Sequence, residues 1–153
     1  MSAEQRLQEL GITLPEVAKP SHSYVKTRLS GTQLWVSGHT PLQNGTYAHL
    51  GKVGAEVSLD EARAEARVCV VNLLAAVRAA LGSLDQVAYV IKVVGFVASA
   101  PDFYEQPKVM NAASDLLVEI FGEDGRHARS AIGVAVLPGN VPVEIEMVVE
   151  VKA

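Results

Sequence analysis

The stretch VAYVIKVVGFVA, residues 87–98, is twelve residues long and carries one charge, Lys92. Its β-branched residues read as a strand, and its lack of polar alternation leaves neither side suited to water. Such a strand belongs inside a sheet that is covered on both faces. Before it, Ser58-Leu59-Asp60-Glu61 is a capping box with two acids in the first turn. Apolar residues then recur at Leu59, Ala62, Ala66, Val70, Leu73, Leu74, Val77 and Leu81, one stripe at helical spacing, with Gly82 as terminator. After it, Val109 to Phe121 repeats the helical pattern, and Gly122 stops it. Two helices therefore flank the strand and can cover one of its faces.

Tyr24 to Leu29 and Gln33 to Ser37 alternate polar and apolar around Ser30-Gly31-Thr32, which predicts a β-hairpin. Gly38 to Gly54 holds four glycines, Pro41 and Asn44-Gly45, and reads as a long loop. Asn44-Gly45-Thr46 also matches a glycosylation acceptor but is more simply a turn. Ala131 to Leu137 is read as a core strand, paired through a Pro-Gly-Asn turn with Val143 to Val151 as a second hairpin. Ser2 to Gln5 is a capping box that opens a short helix ended by Gly11. Ile12 to Ser23 reads as irregular.

The order is α-β-β-α-β-α-β-β. It predicts an α+β fold: one mixed sheet, two β-α-β crossovers, and both long helices on one face. One domain spans 1–153, with 1–20 as an N-terminal helical extension. The second face of residues 87–98 is left bare, and self-association is the economical cover.

The whole-chain balance narrows the classes of function. The formal net charge is −4, with 13 Lys+Arg against 17 Asp+Glu. That argues against a nucleic-acid-coating protein, which needs many cations to replace phosphate counterions. The lone cysteine, Cys69, has no disulfide partner and reads as a small buried hydrophobe. MSAEQRLQEL is polar rather than a basic-apolar leader, and no apolar run reaches membrane-helix length. A cytoplasmic protein without membrane contact is the expectation.

Among charged residues, Arg129 opens a strand after a Gly-containing loop, at the sheet rim where clefts form. Two readings stand on the residues alone. One is a rim ion pair, the commoner outcome. The other is a carboxylate clamp built on the guanidinium fork. Glu144 and Glu146 share one face of their strand and face solvent, pair with basic neighbours, or position a water or an ammonium group. Arg126 and His127 read as solvated loop residues. His22, His39, His49 and His127 lack ligand spacing, so no metal is expected. Ser130 has no evident His-acid pair, and Gly51-Lys52-Val53-Gly54 lacks the phosphate-loop spacing.

Together, Val36-Ser37-Gly38-His39, the helix from Ser58, the strand ending Gly95-Phe96-Val97, Ala128-Arg129-Ser130-Ala131, Leu137-Pro138 and Val143-Glu144-Ile145-Glu146 resemble the YjgF/RidA family. The resemblance runs in order over roughly residues 20 to 151. It implies a chorismate-mutase-like fold and a homotrimer with a central sheet core and clefts between subunits. It also implies hydrolysis of reactive enamines and imines of the 2-aminoacrylate/2-iminopropanoate type to 2-oxo acids and ammonia, without metal or organic cofactor. Carried over by position, Arg129 is the substrate-carboxylate arginine and Glu144 the acid beside the attacking water. Tyr24, Gly38 and Asn111 line the cleft. Ala131 stands where the family often has cysteine, His39 replaces the glutamine of its SGQ pattern, and the spacing from Asn111 to Arg129 is one residue longer.

The leading expectation is thus a trimeric imine deaminase. The alternative is a non-enzymatic binder or sensor of small carboxylates such as 2-oxo acids, which would use the same arginine. An endoribonuclease reading, a label attached to the family, is disfavoured by the net charge, the few aromatics and the lack of a histidine pair.

Overall fold

The computed structural model describes residues 1–153. Its elements are α1 (Ala3–Glu9), β1 (Thr27–Ser30), β2 (Gln33–His39), α2 (Leu59–Leu81), β3 (Val87–Ala98), α3 (Gln106–Phe121), β4 (Ala128–Val134) and β5 (Val143–Val151). The five strands form one mixed sheet in the order β1-β2-β5-β3-β4. β3 and β4 are parallel, and every other neighbouring pair is antiparallel.

Local signals set most boundaries. Ser2 and Ser58 both close complete capping boxes, with Gln5 and Glu61. Gly82 caps α2 at φ 84, a left-handed conformation that glycine adopts without a Cβ clash. β3 and β5 span the residues expected. α3 begins at Gln106, one turn earlier than its apolar periodicity, because Pro107 in the first turn lacks only an N–H that has no helical acceptor there.

Three expectations are corrected. β1 starts at Thr27, so Tyr24 precedes the strand. β4 runs from Ala128 to Val134 rather than from Ala131 to Leu137. It follows β3 residue for residue from Lys92↔Ala128 to Ala98↔Val134, and its pairing ends where β3 ends. It is an edge strand and not core: Ile132 is 44% exposed. The third correction is topological, since β4 and β5 form no hairpin. β5 inserts between β2 and β3, and the 135–142 connection crosses the end of β3, where Ala98 N–H donates to the Pro142 carbonyl. Val143, Ile145, Met147 and Val149 all point into the core, a demand that only a central strand meets.

α2 and α3 lie together on that core face. The stripe from Ala62 through Cys69 to Val77 is buried on α2, and Val109, Ala113, Leu116 and Leu117 are buried on α3. The opposite face of the sheet is bare in the single chain. Register sets Trp35, Val148 and Lys92 in one row across it, Glu146 and Val94 in the next, and Glu144, Phe96 and Ile132 in a third. Trp35 is 53% exposed.

The 40–57 loop is tied to α2 by His49. Its Nδ1 lies 2.8 Å from Glu65 Oε1 and its Nε2 2.8 Å from Glu61 Oε2. Glu65 is 2% exposed, and its Oε2 has no protein partner. Bonding to Glu65 raises the pKa of His49 above its ordinary 6.5. A raised base stabilises the fold fully below the unfolded value and loses that contribution as pH rises through the folded one. Urea unfolding between pH 5 and about 9 should therefore show stability falling above about pH 6.5. His49→Ala should lower stability by about 1–3 kcal/mol at low pH, because it strips a buried carboxylate of its hydrogen bond, and should flatten that slope. An unchanged slope would show that the clamp does not titrate.

Candidate functional site

Two clefts hold the residues singled out by the sequence. The first opens beside a bulge in β2. Val36 pairs with Met147 and His39 with Ile145, so Ser37 and Gly38 together oppose the single residue Glu146. Ser37 N–H donates to the Lys26 carbonyl and its hydroxyl donates to the Val25 carbonyl, which draws the Tyr24–Lys26 segment alongside the bulge. The Glu144 side chain lies against Gly38 so closely that a Cβ there would sit 2.6 Å from its Oε2. Glycine at 38 is thus what makes room for this carboxylate. Tyr24, Lys26, His39, Asn72 and the Pro15–Ala18 segment complete a cleft of about 680 Å³.

Burial raises the pKa of Glu144, and the neighbouring Glu146 charge raises it further. A carboxylate so biased takes up a proton more readily, as a general base must. His39 moves the other way: burial lowers its pKa, although a hydrogen bond to the Ser37 carbonyl opposes this.

The second cleft, about 580 Å³, lies where β4 meets α3 and is lined by Ser114, Asp115, Glu119, Arg126, His127 and Arg129. Arg129 Nη1 donates to Asn111 Oδ1 at 2.9 Å and to Ser114 Oγ at 3.2 Å. Arg129 makes no ion pair; the rim pairing belongs to Arg126, with Glu123 at 3.5 Å. Asn111 and Arg129 are thus together despite their longer spacing. Ala131 follows two residues along β4 on the same face, level with Gly95 and packed on the core. His127 corrects the sequence reading. It is not a solvated loop residue, since its Nδ1 lies 2.7 Å from the Gly125 carbonyl and its Nε2 2.9 Å from Ser114 Oγ.

Tyr24, Gly38 and Glu144 therefore share one cleft, and Arg129, Asn111 and Ala131 share another region. Within one chain the two groups do not converge. Arg129 is in register with Val93 and Met147 and faces the helices, whereas Glu144 is in register with Phe96 and Ile132 and faces away. Two strand spacings, roughly 10 Å, add to the opposed orientation.

Comparison with known proteins meets the same architecture. A family profile described as "YjgF/chorismate mutase-like, putative endoribonuclease" matches residues 4–151. The chain belongs to this family. Protein TCP17 of Trypanosoma cruzi is 46% identical over 147 residues, 95% of this chain and 92% of that protein. A protein of unknown function from Agrobacterium tumefaciens has a crystal structure that superposes with a TM-score of 0.90 at 47% identity, covering 99% of this chain and 92% of that one. A second crystal structure, described as a "putative endoribonuclease" of Shewanella oneidensis MR-1, gives a TM-score of 0.94 at 33% identity, covering 99% and 100%. The fold of this family member is thus chorismate-mutase-like, and none of its helices is long and apolar enough to cross a membrane.

Ser114 and His127 are the site residues that the sequence reading missed. Their signals lie in spacing: Ser114 follows Asn111 by three on a helix, and His127 precedes Arg129 by two at a strand entry.

The upward shift of the Glu144 pKa can be tested by titration. Its carboxyl ¹³C signal should titrate with a midpoint above that of an ordinary glutamate. Glu146→Gln removes one of the two causes and should lower the midpoint. A midpoint unmoved by Glu146→Gln would mean that the two carboxylates do not interact.

Proposed function

We propose that this protein hydrolyses small reactive enamines and imines bearing a carboxylate, of the 2-aminoacrylate/2-iminopropanoate type, to 2-oxo acids and ammonia. The observation that carries this reading is the state of Arg129: a guanidinium at a cleft, held by neutral side chains and paired with no acid. Such a cation is ready for an anionic group, and its planar fork matches a carboxylate.

The separation of the two clefts adds an assembly to the proposal. A second copy brings its Tyr24–Gly38–Glu144 cleft to the Arg129–Asn111 corner of the first, and a head-to-tail ring of three closes every site in this way. The bare sheet face, with Trp35 and Ile132, supplies the apolar surface that such a ring covers.

Arg129 would anchor the substrate carboxylate and so fix the adjacent imine carbon. The Glu144 carboxylate takes a proton from water as the water oxygen bonds to that carbon. Glu144 returns the proton to the nitrogen, which gives a carbinolamine; it then takes the hydroxyl proton and passes it to the amino nitrogen, so that the C–N bond breaks, ammonia leaves and the carbonyl forms. Acid-base help of this kind contributes roughly 10²–10⁴-fold.

The test is ammonia release from imines generated in situ by an amino-acid oxidase. Arg129→Ala should lower kcat/KM by about 10²-fold or more, and Glu144→Gln by roughly 10²–10⁴-fold, with the fold intact by circular dichroism. Co-refolding the two inactive variants should restore activity at roughly a quarter of the sites, since a mixed interface can join one intact arginine to one intact glutamate. Failure to complement would place each site within one chain. Tight binding of 2-oxo acids without turnover by the unmutated protein would replace hydrolysis with a binding or sensing role.

A further inference from the structure

We propose that Ser114 and His127 are positioning residues for Arg129, holding its guanidinium so that one fork, Nε with Nη2, is left for a carboxylate. The proposal rests on the carboxylate-binding role of Arg129 argued above.

The polarity of each hydrogen bond follows from chemistry. The Gly125 carbonyl only accepts, so His127 Nδ1, 2.7 Å away, carries a proton. Burial lowers the pKa of the ring against the opposing Gly125 hydrogen bond, and the nearby Arg129 charge lowers it further, so the ring is neutral near pH 7 and Nε2 carries a lone pair. Ser114 Oγ, 2.9 Å from Nε2, must then donate its only hydrogen there. Its oxygen lone pairs remain for Arg129 Nη1 at 3.2 Å, and a guanidinium only donates. The chain therefore runs one way, from Arg129 through Ser114 and His127 to the Gly125 carbonyl.

Asn111 Oδ1 receives the second bond from Nη1, at 2.9 Å. Both hydrogens of Nη1 are then occupied by the protein. The Nε hydrogen and one of the two Nη2 hydrogens point in one common direction, and these two nitrogens make no hydrogen bond within the chain. They form the free bidentate edge. Because Asn111 and Ser114 stand one helical turn apart on α3 and His127 at the entry to β4, the two elements fix the arginine from both sides.

The device has a built-in acid limit. Protonated His127 turns Nε2 into a donor, so it competes for the lone pairs of Ser114 that Arg129 uses, and the serine hydrogen loses its acceptor. The charged groups around His127 are Arg129 on β4, Arg126 just before it, and Asp115 and Glu119 on α3. Arg129 disfavours the imidazolium directly. Carboxylate affinity should therefore fall as pH drops below the ordinary histidine value of 6.5.

Calorimetric titration with 2-oxobutanoate from pH 4.5 to 8 tests this on the full chain. Ser114→Ala and His127→Ala should each weaken binding roughly tenfold at pH 7.5, and Ser114→Thr, which keeps the hydroxyl, should restore most of it. His127→Gln, whose amide oxygen can accept near the Nε2 position, should bind well at pH 7.5 and lose the acid limb. Wild-type affinity in Ser114→Ala, or an unchanged acid limb in His127→Gln, overturns the proposal when Arg129→Ala abolishes binding. Should the unmutated protein bind no 2-oxo acid, the functional reading fails, and positioning is judged by ¹⁵N NMR of the arginine side chain. Slow rotation about the Arg129 Cζ–Nη1 bond that quickens in Ser114→Ala supports it, and rotation unaffected by that change overturns it.

Discussion

β5 is held between β2 and β3, and its alternation sets the sidedness of everything else. Val143, Ile145, Met147 and Val149 meet the helices, so Glu144, Glu146 and Val148 must face the other way. A slip of one residue would drive two carboxylates into a core of Val, Leu and Ala, at a cost of several kcal/mol per unpaired charge. The register is therefore fixed by the penalty for the alternative as much as by the packing of the native one. The same register, carried through β3, turns Arg129 toward α3. Orientation of the two chemical groups is thus a by-product of core packing.

How far the sequence disclosed this depends on where each feature's information lies. Capping boxes at Ser2 and Ser58, the stop at Gly82 and the extents of β3 and β5 rest on neighbouring residues, and they were legible. The position of β5 was not. Its link to β4 looks like a hairpin turn locally, and only competition for the centre of the sheet separates the two strands. β4 was misplaced for a related reason, because Val134 to Leu137 continues an apolar run past the point where β3 offers a partner. In the site, Arg129 stood out as a charge at the opening of a strand and Glu144 as one inside a strand. Ser114 and His127 did not, since a serine on a helix and a histidine at a loop end acquire meaning only when α3 and β4 are brought together.

In the proposed ring, the division of the candidate site between opposite faces would give self-association a chemical role beyond covering apolar surface. If one chain supplied both the anchor and the carboxylate, Glu144 would face Arg129 with no ligand present. The two would neutralise each other, and a substrate carboxylate would have to displace an ion pair. Keeping them on opposite faces avoids this in the free chain, and an assembled cleft can set them at a substrate's width apart.

The partners of Arg129 extend the same logic. An acid beside the guanidinium would orient it well but compete with an anionic ligand for its charge. Asn111 and Ser114 orient it through oxygens that carry no net charge, and His127, neutral near pH 7, directs the serine without adding one. The nearby acids have other engagements or none with this group: Glu119 pairs with Arg67 at 3.5 Å, and Glu123 with Arg126. The chain thus keeps a cation that makes no ion pair despite a net charge of −4. On the proposed reading, an open rim lets water solvate the free edge of Arg129, so the unpaired charge would cost little until a carboxylate took the place of the water. Such a ligand would meet a fork already held in place, and less of its binding energy would be consumed in ordering the side chain.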